Sequence, residues 1–268
     1  MSRITEKFEK LKAQGGKALI PYIMAGDPDL DTTGKLILEM EKSGADIIEL
    51  GVPFSDPLAD GPTIQRAAIR ALKGKANLHH VFGLVKDTRK VSEIPIILML
   101  YYNLVLKYGE ERFVSDAVNA GVDGVIVPDL PPEEADGLTR AAIQHGFDVI
   151  FLLAPTSSPD RIKLVAGSST GFIYYVSLTG VTGARSTLDK GIEASLKKIR
   201  RVTAKPVCVG FGISRPEQAR EVAAWADGVI VGSAIVGKVE KGSNKAGIVK
   251  EVGSFVKALK KAVSPEKG

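Results

Sequence analysis

Glu49 follows Asp46-Ile47-Ile48, a short apolar segment rich in β-branched residues. Such a segment reads as a buried strand, and Glu49 stands at its C-terminal end. A loop with three prolines and two glycines comes next, carrying Pro53, Phe54, Asp56, Pro57, Leu58 and Asp60. Beyond Pro62 the pattern turns helical, with Ile64, Ala67, Ala68, Ala71 and Leu72 on one face. Burying a charge is expensive unless it is paired or neutralised. Glu49 is therefore either a side chain that simply emerges into solvent or a carboxyl held in an environment suited to acid–base work. This strand alone leaves both readings open.

The elements that must position these residues repeat along the chain. Residues 4–14 read as an amphipathic helix, with Ile4, Phe8 and Leu11 at helical spacing. Residues 18–24 form the first apolar strand, and helix 31–43 ends at Gly44, a natural cap. Strand 46–50 precedes helix 62–73 and a second helix near 78–91. Strand 94–101 precedes helix 109–120, strand 124–127 helix 132–145, and strand 147–153 helix 159–166. Strand 172–176 precedes helix 189–201, and strand 206–209 helix 215–225. Strand 228–231 precedes a short helical turn at 233–239, and a last helix covers 244–262. The strands are apolar throughout rather than alternating, which marks parallel strands covered on both faces. Eight strand–helix units without a linker predict an α/β fold, a single (β/α)8 TIM barrel spanning 1–268. The N-terminal helix should cover the barrel bottom, and extra helices should follow the second and eighth strands.

In such barrels the site lies at the strand C-termini and the loops after them. These ends offer Tyr22 and Met24, then Glu49, Asp56 and Asp60. They offer Leu100, Tyr101, Tyr102 and Asn103, then Asp129, and then Tyr174 or Tyr175 with Ser177. His79, His80 and His145 fall in predicted helices, and the spacing suggests no metal site. Cys208 sits inside an apolar strand and reads as a packed thiol. No lysine ends a strand, which disfavours Schiff-base chemistry. Three glycine-rich loops, at 179–184, 210–214 and 232–233, point to a bound phosphate, because glycine lets backbone N–H groups approach an anion. Ser214-Arg215-Pro216-Glu217 reads as a capping box. Tyr22, Leu100, Tyr102 and Phe211 would wall an apolar, aromatic pocket. Together these features suit acid–base chemistry on a phosphorylated compound with a flat apolar part.

The 268 residues are 44% hydrophobic and 25% charged, ample for a core. One cysteine excludes an internal disulfide framework. Met1 to Lys7 is charged and lacks a signal-peptide core, and no apolar run is long enough to cross a bilayer. The net charge of +5 comes mostly from scattered lysines on helical faces, so neither nucleic acid nor membrane is an expected partner.

From Glu49 to Thr63 the sequence resembles the α subunit family of tryptophan synthase. Tyr22 to Pro28, Asn103-Leu104, Pro128 to Pro131, Gly180 to Gly183, Gly210 to Ile213 and Gly232 to Ala234 extend the resemblance over the whole chain. It implies a lyase of tryptophan biosynthesis that cleaves indole-3-glycerol phosphate to indole and glyceraldehyde 3-phosphate. By the same resemblance Glu49 protonates indole C3, and Asp60 accepts a hydrogen bond from the ring N1–H. Tyr174 assists, since it falls at the family's position counted back from Gly180 to Gly183, and Thr182 helps to place Asp60. The phosphate ligands carry over to Gly183, Gly212, Gly232 and Ser233. The resemblance also implies a β subunit in an αββα complex, carrying pyridoxal phosphate, with no cofactor in this chain. The partner contact falls on Pro53 to Asp60 and on Pro128 to Pro132, which include Phe54, Asp56, Pro57, Asp129 and Pro131. The expected compartment is the cytoplasm, or the plastid stroma for a mature plant enzyme. Rival phosphate-binding barrels use a lysine or a histidine metal set at strand ends, which this sequence lacks. A non-catalytic ligand-binding subunit is the rival of a different class, and the intact Glu49 and Asp60 argue against it.

Overall fold

A computed structural model of the chain describes residues 1–177, 191–210 and 212–264. Among these residues, nine parallel strands lie in the order β5-β4-β3-β2-β1-β9-β8-β7-β6. They are β1 (Ala18–Met24), β2 (Ile48–Gly51), β3 (Ile96–Met99), β4 (Gly124–Ile126), β5 (Asp148–Ile150), β6 (Leu152–Leu153), β7 (Ile173–Val176), β8 (Val207–Gly210) and β9 (Gly228–Val231). β5 and β6 are halves of the one strand expected at 147–153, parted at Phe151. The first half pairs with β4 and the second with β7. The Phe151 carbonyl accepts the Tyr174 N–H at 3.2 Å. The sheet therefore closes into an eight-walled barrel, as the repeat of strands and helices predicts.

Among the described residues twelve α-helices accompany it: α1 (Arg3–Ala13), α2 (Leu30–Lys42), α3 (Pro62–Lys73), α4 (Leu78–Thr88), α5 (Tyr102–Tyr108), α6 (Glu110–Ala120), α7 (Asp136–His145), α8 (Pro159–Ser168), α9 (Gly191–Arg200), α10 (Pro216–Ala223), α11 (Ser233–Lys241) and α12 (Lys245–Val263). Two helices follow β2 and two follow β9, as expected. Three expectations are corrected. Residues 102–108 form a helix where the sequence reading has only the connection between strand 94–101 and helix 109–120. The Asp129 carboxylate accepts the Tyr102 N–H at 2.9 Å, satisfying a donor that the helix start leaves free. The helix expected at 132–145 begins as a 3-10 turn, Pro132–Glu134, and breaks at Ala135, which is fully buried. The cap of α10 is built one residue later than expected. The Gln218 side chain accepts the N–H groups of Ser214 and Arg215, at 2.9 and 3.1 Å, whereas Glu217 stands free of that motif.

Alternation along each strand sorts side chains into two compartments. Ile48 and Leu50 join the shell between sheet and helices, whereas Ile47 faces the barrel axis with Ile20, Ile97, Ile126, Ile150 and Ile230. Glu49 shares the face of Ile47 and so points inward. Tyr174 likewise lies inside the barrel and Tyr175 outside it. Inward tyrosines need space from their neighbours. A Cβ at Gly51 would overlap the Tyr22 hydroxyl, and one at Gly210 the Tyr174 ring.

α1 plugs the bottom with Ile4, Phe8 and Leu11, and Phe8 packs on Phe172 at 5.7 Å between centroids. The Ser2 hydroxyl caps the helix and donates to Asp148 at 2.6 Å, and Arg3 pairs with Asp123 at 3.0 Å. The plug lies at the end of the barrel opposite Glu49. Truncating it with Phe8→Ala should cost about 3–5 kcal/mol of stability, the usual range for a buried Phe. Urea denaturation measures this loss, and catalytic turnover of the folded fraction should stay at the wild-type value.

Candidate active site

Glu49 is 1% exposed, between Tyr22 of β1 and Ile97 of β3 in the sheet register. Its Oε2 has no hydrogen-bond partner among the described residues. A buried carboxyl left so is costly as an anion, so burial pushes its pKa up to about 8, and the negative charge of Asp60 adds to the shift. Asp60 comes from the β2–α3 loop. Burial raises it to about 6, and a hydrogen bond from the Tyr101 hydroxyl works in the opposite direction. The two carboxyls thus differ in protonation between about pH 6 and 8: Glu49 holds a proton while Asp60 is ionised.

Tyr101 is the organising side chain of the loop. Its hydroxyl accepts the Ala59 N–H at 2.9 Å, and its ring stacks on Phe54 at 5.3 Å and 28°. One phenol therefore fixes the loop backbone, a loop aromatic ring and the Asp60 carboxylate. Burial pushes the Tyr101 hydroxyl well up, with help from Asp60, so it stays a donor. Tyr22 and Tyr174 are also pushed up, first by burial and then by the nearby carboxylates, Asp60 foremost for Tyr22 and Glu49 for Tyr174. Three phenols that keep their protons thus surround the acidic pair.

A small cavity opens here, walled by Tyr22, Met24, Asp60, Met99, Leu100, Tyr101 and Pro128, among others. A larger groove lies at the opposite end of the barrel, beside Phe8, Lys12, Lys17 and Pro206. The smaller cavity is the one that combines apolar walls with oppositely protonated carboxyls. Among the described residues no group of His, Cys, Asp and Glu could hold a metal ion, and no helix is long and apolar enough to cross a membrane.

The structure brings Tyr22, Leu100 and Asp60 to this cavity, with Glu49 and Tyr174 beside it inside the barrel. It does not bring Tyr102. That side chain points away at the start of α5, and its hydroxyl donates to Glu110 at 3.0 Å. Tyr101 holds the position instead. Sequence parity carried the signal: Tyr101 stands two residues beyond Met99 and four beyond Ile97, and Ile97 faces the barrel interior. Gly232 caps α11 and Ser233 opens it, so free N–H groups of that helix end face the same rim, and Gly212 adopts a left-handed φ of 78°. Gly183, Thr182 and Phe211 lie outside the described residues. In the loop, Pro53 is buried rather than exposed, Phe54 is half-buried under its stack, and Asp56 and Leu58 face solvent, Leu58 at 95% exposure. Pro57, Pro131 and Pro132 are half-buried, and Asp129 is exposed while capping α5.

A family model for the tryptophan synthase alpha chain matches residues 8–264. The tryptophan synthase alpha chain of Geotalea uraniireducens is 57% identical over 98% of both chains. That of Geobacter sulfurreducens is 53% identical over 98% of this chain and 99% of its own. Among solved structures, the tryptophan synthase subunit alpha of Legionella pneumophila superposes with a TM-score of 0.91 at 41% identity, covering 98% of each chain. A chain of Mycobacterium tuberculosis tryptophan synthase superposes with a TM-score of 0.90 at 37% identity, covering 98% of this chain and 99% of its own. Barrel, carboxyl pair and full-length similarity agree, and the chain belongs to the tryptophan synthase alpha chain family.

Proposed function

We propose that Glu49 is the acid and Asp60 the stabilising anion in the reaction of this family, with the whole chain acting as one barrel domain. As a member of the family the chain is a lyase of tryptophan biosynthesis that cleaves indole-3-glycerol phosphate. The observation that carries the assignment is the buried Glu49 carboxyl, its Oε2 unpartnered among the described residues, beside the half-buried Asp60, an arrangement that favours a proton on Glu49 and a charge on Asp60. An indole C3 carbanion is too poor a leaving group, so C3 must gain a proton before the C–C bond breaks. Protonated Glu49 gives that proton, and the ring becomes cationic. Ionised Asp60 accepts the N1–H hydrogen bond and stabilises the positive ring. Glu49, now a carboxylate, takes the proton of the side-chain hydroxyl. The C–C electrons return to the ring, indole and glyceraldehyde 3-phosphate part, and Glu49 is again protonated. Tyr174 remains a neutral donor close to Glu49, suited to holding the hydroxyl in line. The phosphate rests on backbone N–H groups at Gly183, Gly212, Gly232 and Ser233.

Indole is neutral and membrane-permeant, so direct transfer to a β subunit prevents its loss. In this reading the complex is αββα, the pyridoxal phosphate belongs to the β subunit, and the setting is the cytoplasm, as the bacterial relatives support. The loop from Pro53 to Asp60 is lid and partner surface together. Phe54 stacks on Tyr101, and Tyr101 holds Asp60, so pressure on the loop reaches a reacting group through two contacts.

Glu49→Gln should lower the cleavage rate on the order of 10²–10⁴-fold, the usual yield of a general acid. The same variant should be more stable than wild type at pH 8. A carboxyl raised from 4.5 to about 8 on folding contributes stability that is present below pH 4.5 and lost as pH rises to about 8. Gln never ionises and escapes a loss on the order of a few kcal/mol, which denaturation at pH 4.5 and pH 8 compares. The pH profile of kcat/KM should fall below about 6 and above about 8. Tyr101→Phe should move the acid limb upward by about one to two pH units, since it removes a hydrogen bond to a charged group, and Tyr102→Phe should leave that limb in place. Phe54→Ala should weaken both β-subunit affinity and activation in a titration of the two subunits, and unchanged values would separate lid from interface.

A further inference from the structure

A chain of alternating charges joins three segments around the cavity, beyond the groups that do the chemistry. Asp27, in the loop after β1, is buried with its side chain 2% exposed, and both its oxygens accept from Arg70 of α3 at 2.8 Å. Arg70 also donates to Glu240 of α11 at 2.8 Å. Arg66, one turn before Arg70, closes a second two-pronged pair on Glu240 at 2.6 and 2.9 Å. Glu240 is accordingly held below the usual carboxylate range, first by Arg66, and stays ionised.

Each member belongs to a segment that also carries a site group. β1 holds Tyr22 and Met24. α3 begins two residues after Asp60. α11 begins at Ser233, and Glu240 lies about 10 Å along its axis from that end. Beneath the charges, α3 and α11 meet through Ile64, Ala67, Ala68 and Val236, packed with Tyr22 and Met24. A contact of alanines is smooth and sets helix register weakly. Two-pronged guanidinium–carboxylate pairs are directional and set it well. The stability to be gained is small, because half-exposed ion pairs contribute little and burying Asp27 costs energy.

We infer that Asp27, Arg70, Glu240 and Arg66 form a clamp that sets the register of α3 against α11, and with it the span between the ring end and the phosphate end of the substrate site. They are positioning residues, acting through Asp60 and the α11 N-terminus. The inference rests on the reading that the phosphate sits at Gly232 and Ser233. A substrate that bridges both ends must match the span, whereas a fragment that occupies one end need not.

Glu240→Gln is the test, since it cuts the tie to α11 and keeps the buried Asp27–Arg70 pair. In the full chain, KM for indole-3-glycerol phosphate should rise about five- to twentyfold. Dissociation constants for glycerol 3-phosphate and for indole should stay within about twofold, and the melting temperature within a few degrees. Arg70→Lys keeps the charge without the fork and should show the same split, because register needs geometry. An unchanged KM, or fragments that weaken as much as the whole substrate, would overturn the clamp. Ser233→Asp tests the underlying reading separately. It should abolish glycerol 3-phosphate binding, and retained binding there would overturn the phosphate placement whatever Glu240→Gln does.

Discussion

Everything at this site follows from one expensive placement, a glutamic acid whose carboxyl is buried inside a barrel, its Oε2 without a partner among the described residues. The surroundings do not compensate its charge, so the chain folds around the protonated form. Burial on that scale needs a wall on every side. The closed sheet supplies one laterally, the α1 plug and the isoleucine layer supply one below, and the tyrosines supply one above. A doubly wound open sheet of the same composition would leave the carboxyl at a crevice, where water could solvate its anion. The barrel is in this sense the condition for the acid.

Asp60 solves the opposite problem. In the proposed reaction it must stay ionised beside a carboxyl that burial keeps protonated. The loop places it only half-buried and gives it the Tyr101 hydroxyl as a donor. The same phenol accepts the Ala59 N–H, so the group that tunes the charge also fixes the backbone that carries it. Glycines make room for this crowding of phenols. Gly51 and Gly210 stand where a methyl group would overlap Tyr22 and Tyr174. They are present for side-chain clearance, a reason that a reading based on turns alone would miss.

That contrast explains what the sequence could and could not disclose. Continuous apolar strands separated by amphipathic helices dictate a parallel barrel because a period is a long-range signal, repeated eight times. Glu49 was legible as a carboxylate closing an apolar strand, and Tyr174 was picked over Tyr175 only by counting back from Gly180 to Gly183 in the resemblance; alternation in the folded strands places both inside the barrel. Tyr101 and Tyr102 fell outside that rule. The sequence reading ended the strand at Tyr101 and offered both tyrosines as strand-end residues, whereas the ladder stops at Met99 and a helix starts at Tyr102. The start of α5 depends on Asp129, 27 residues away in sequence, capping its first turn. A cap supplied by a remote loop leaves no local trace. Gln218 is a different case: the N-cap is Arg215 rather than Ser214, so the usual three-residue spacing falls on Gln218 and passes Glu217 by. The clamp of Asp27, Arg70 and Glu240 shows the limit most clearly, since its members are 43 and 170 residues apart and each alone reads as an ordinary surface charge.

The two carboxyls are also a single electrostatic object. Ionised Asp60 raises Glu49, so in the proposed mechanism the anion that receives the ring N1–H is also part of what keeps the acid protonated before substrate arrives. In that mechanism, once the ring takes the proton its positive charge lies between two carboxylates, and the repulsion that loaded Glu49 turns into attraction from both sides. The charge pattern is strained in the resting enzyme and satisfied in the intermediate, which is the differential stabilisation that catalysis requires. Distance enters here as strongly as charge, because attraction between charges in a dry cavity changes steeply over an ångström or two. A barrel rim held in register by packing, by the Tyr101 contacts and by the ion-pair clamp is what allows so small an electrostatic device to act on one bond of its substrate.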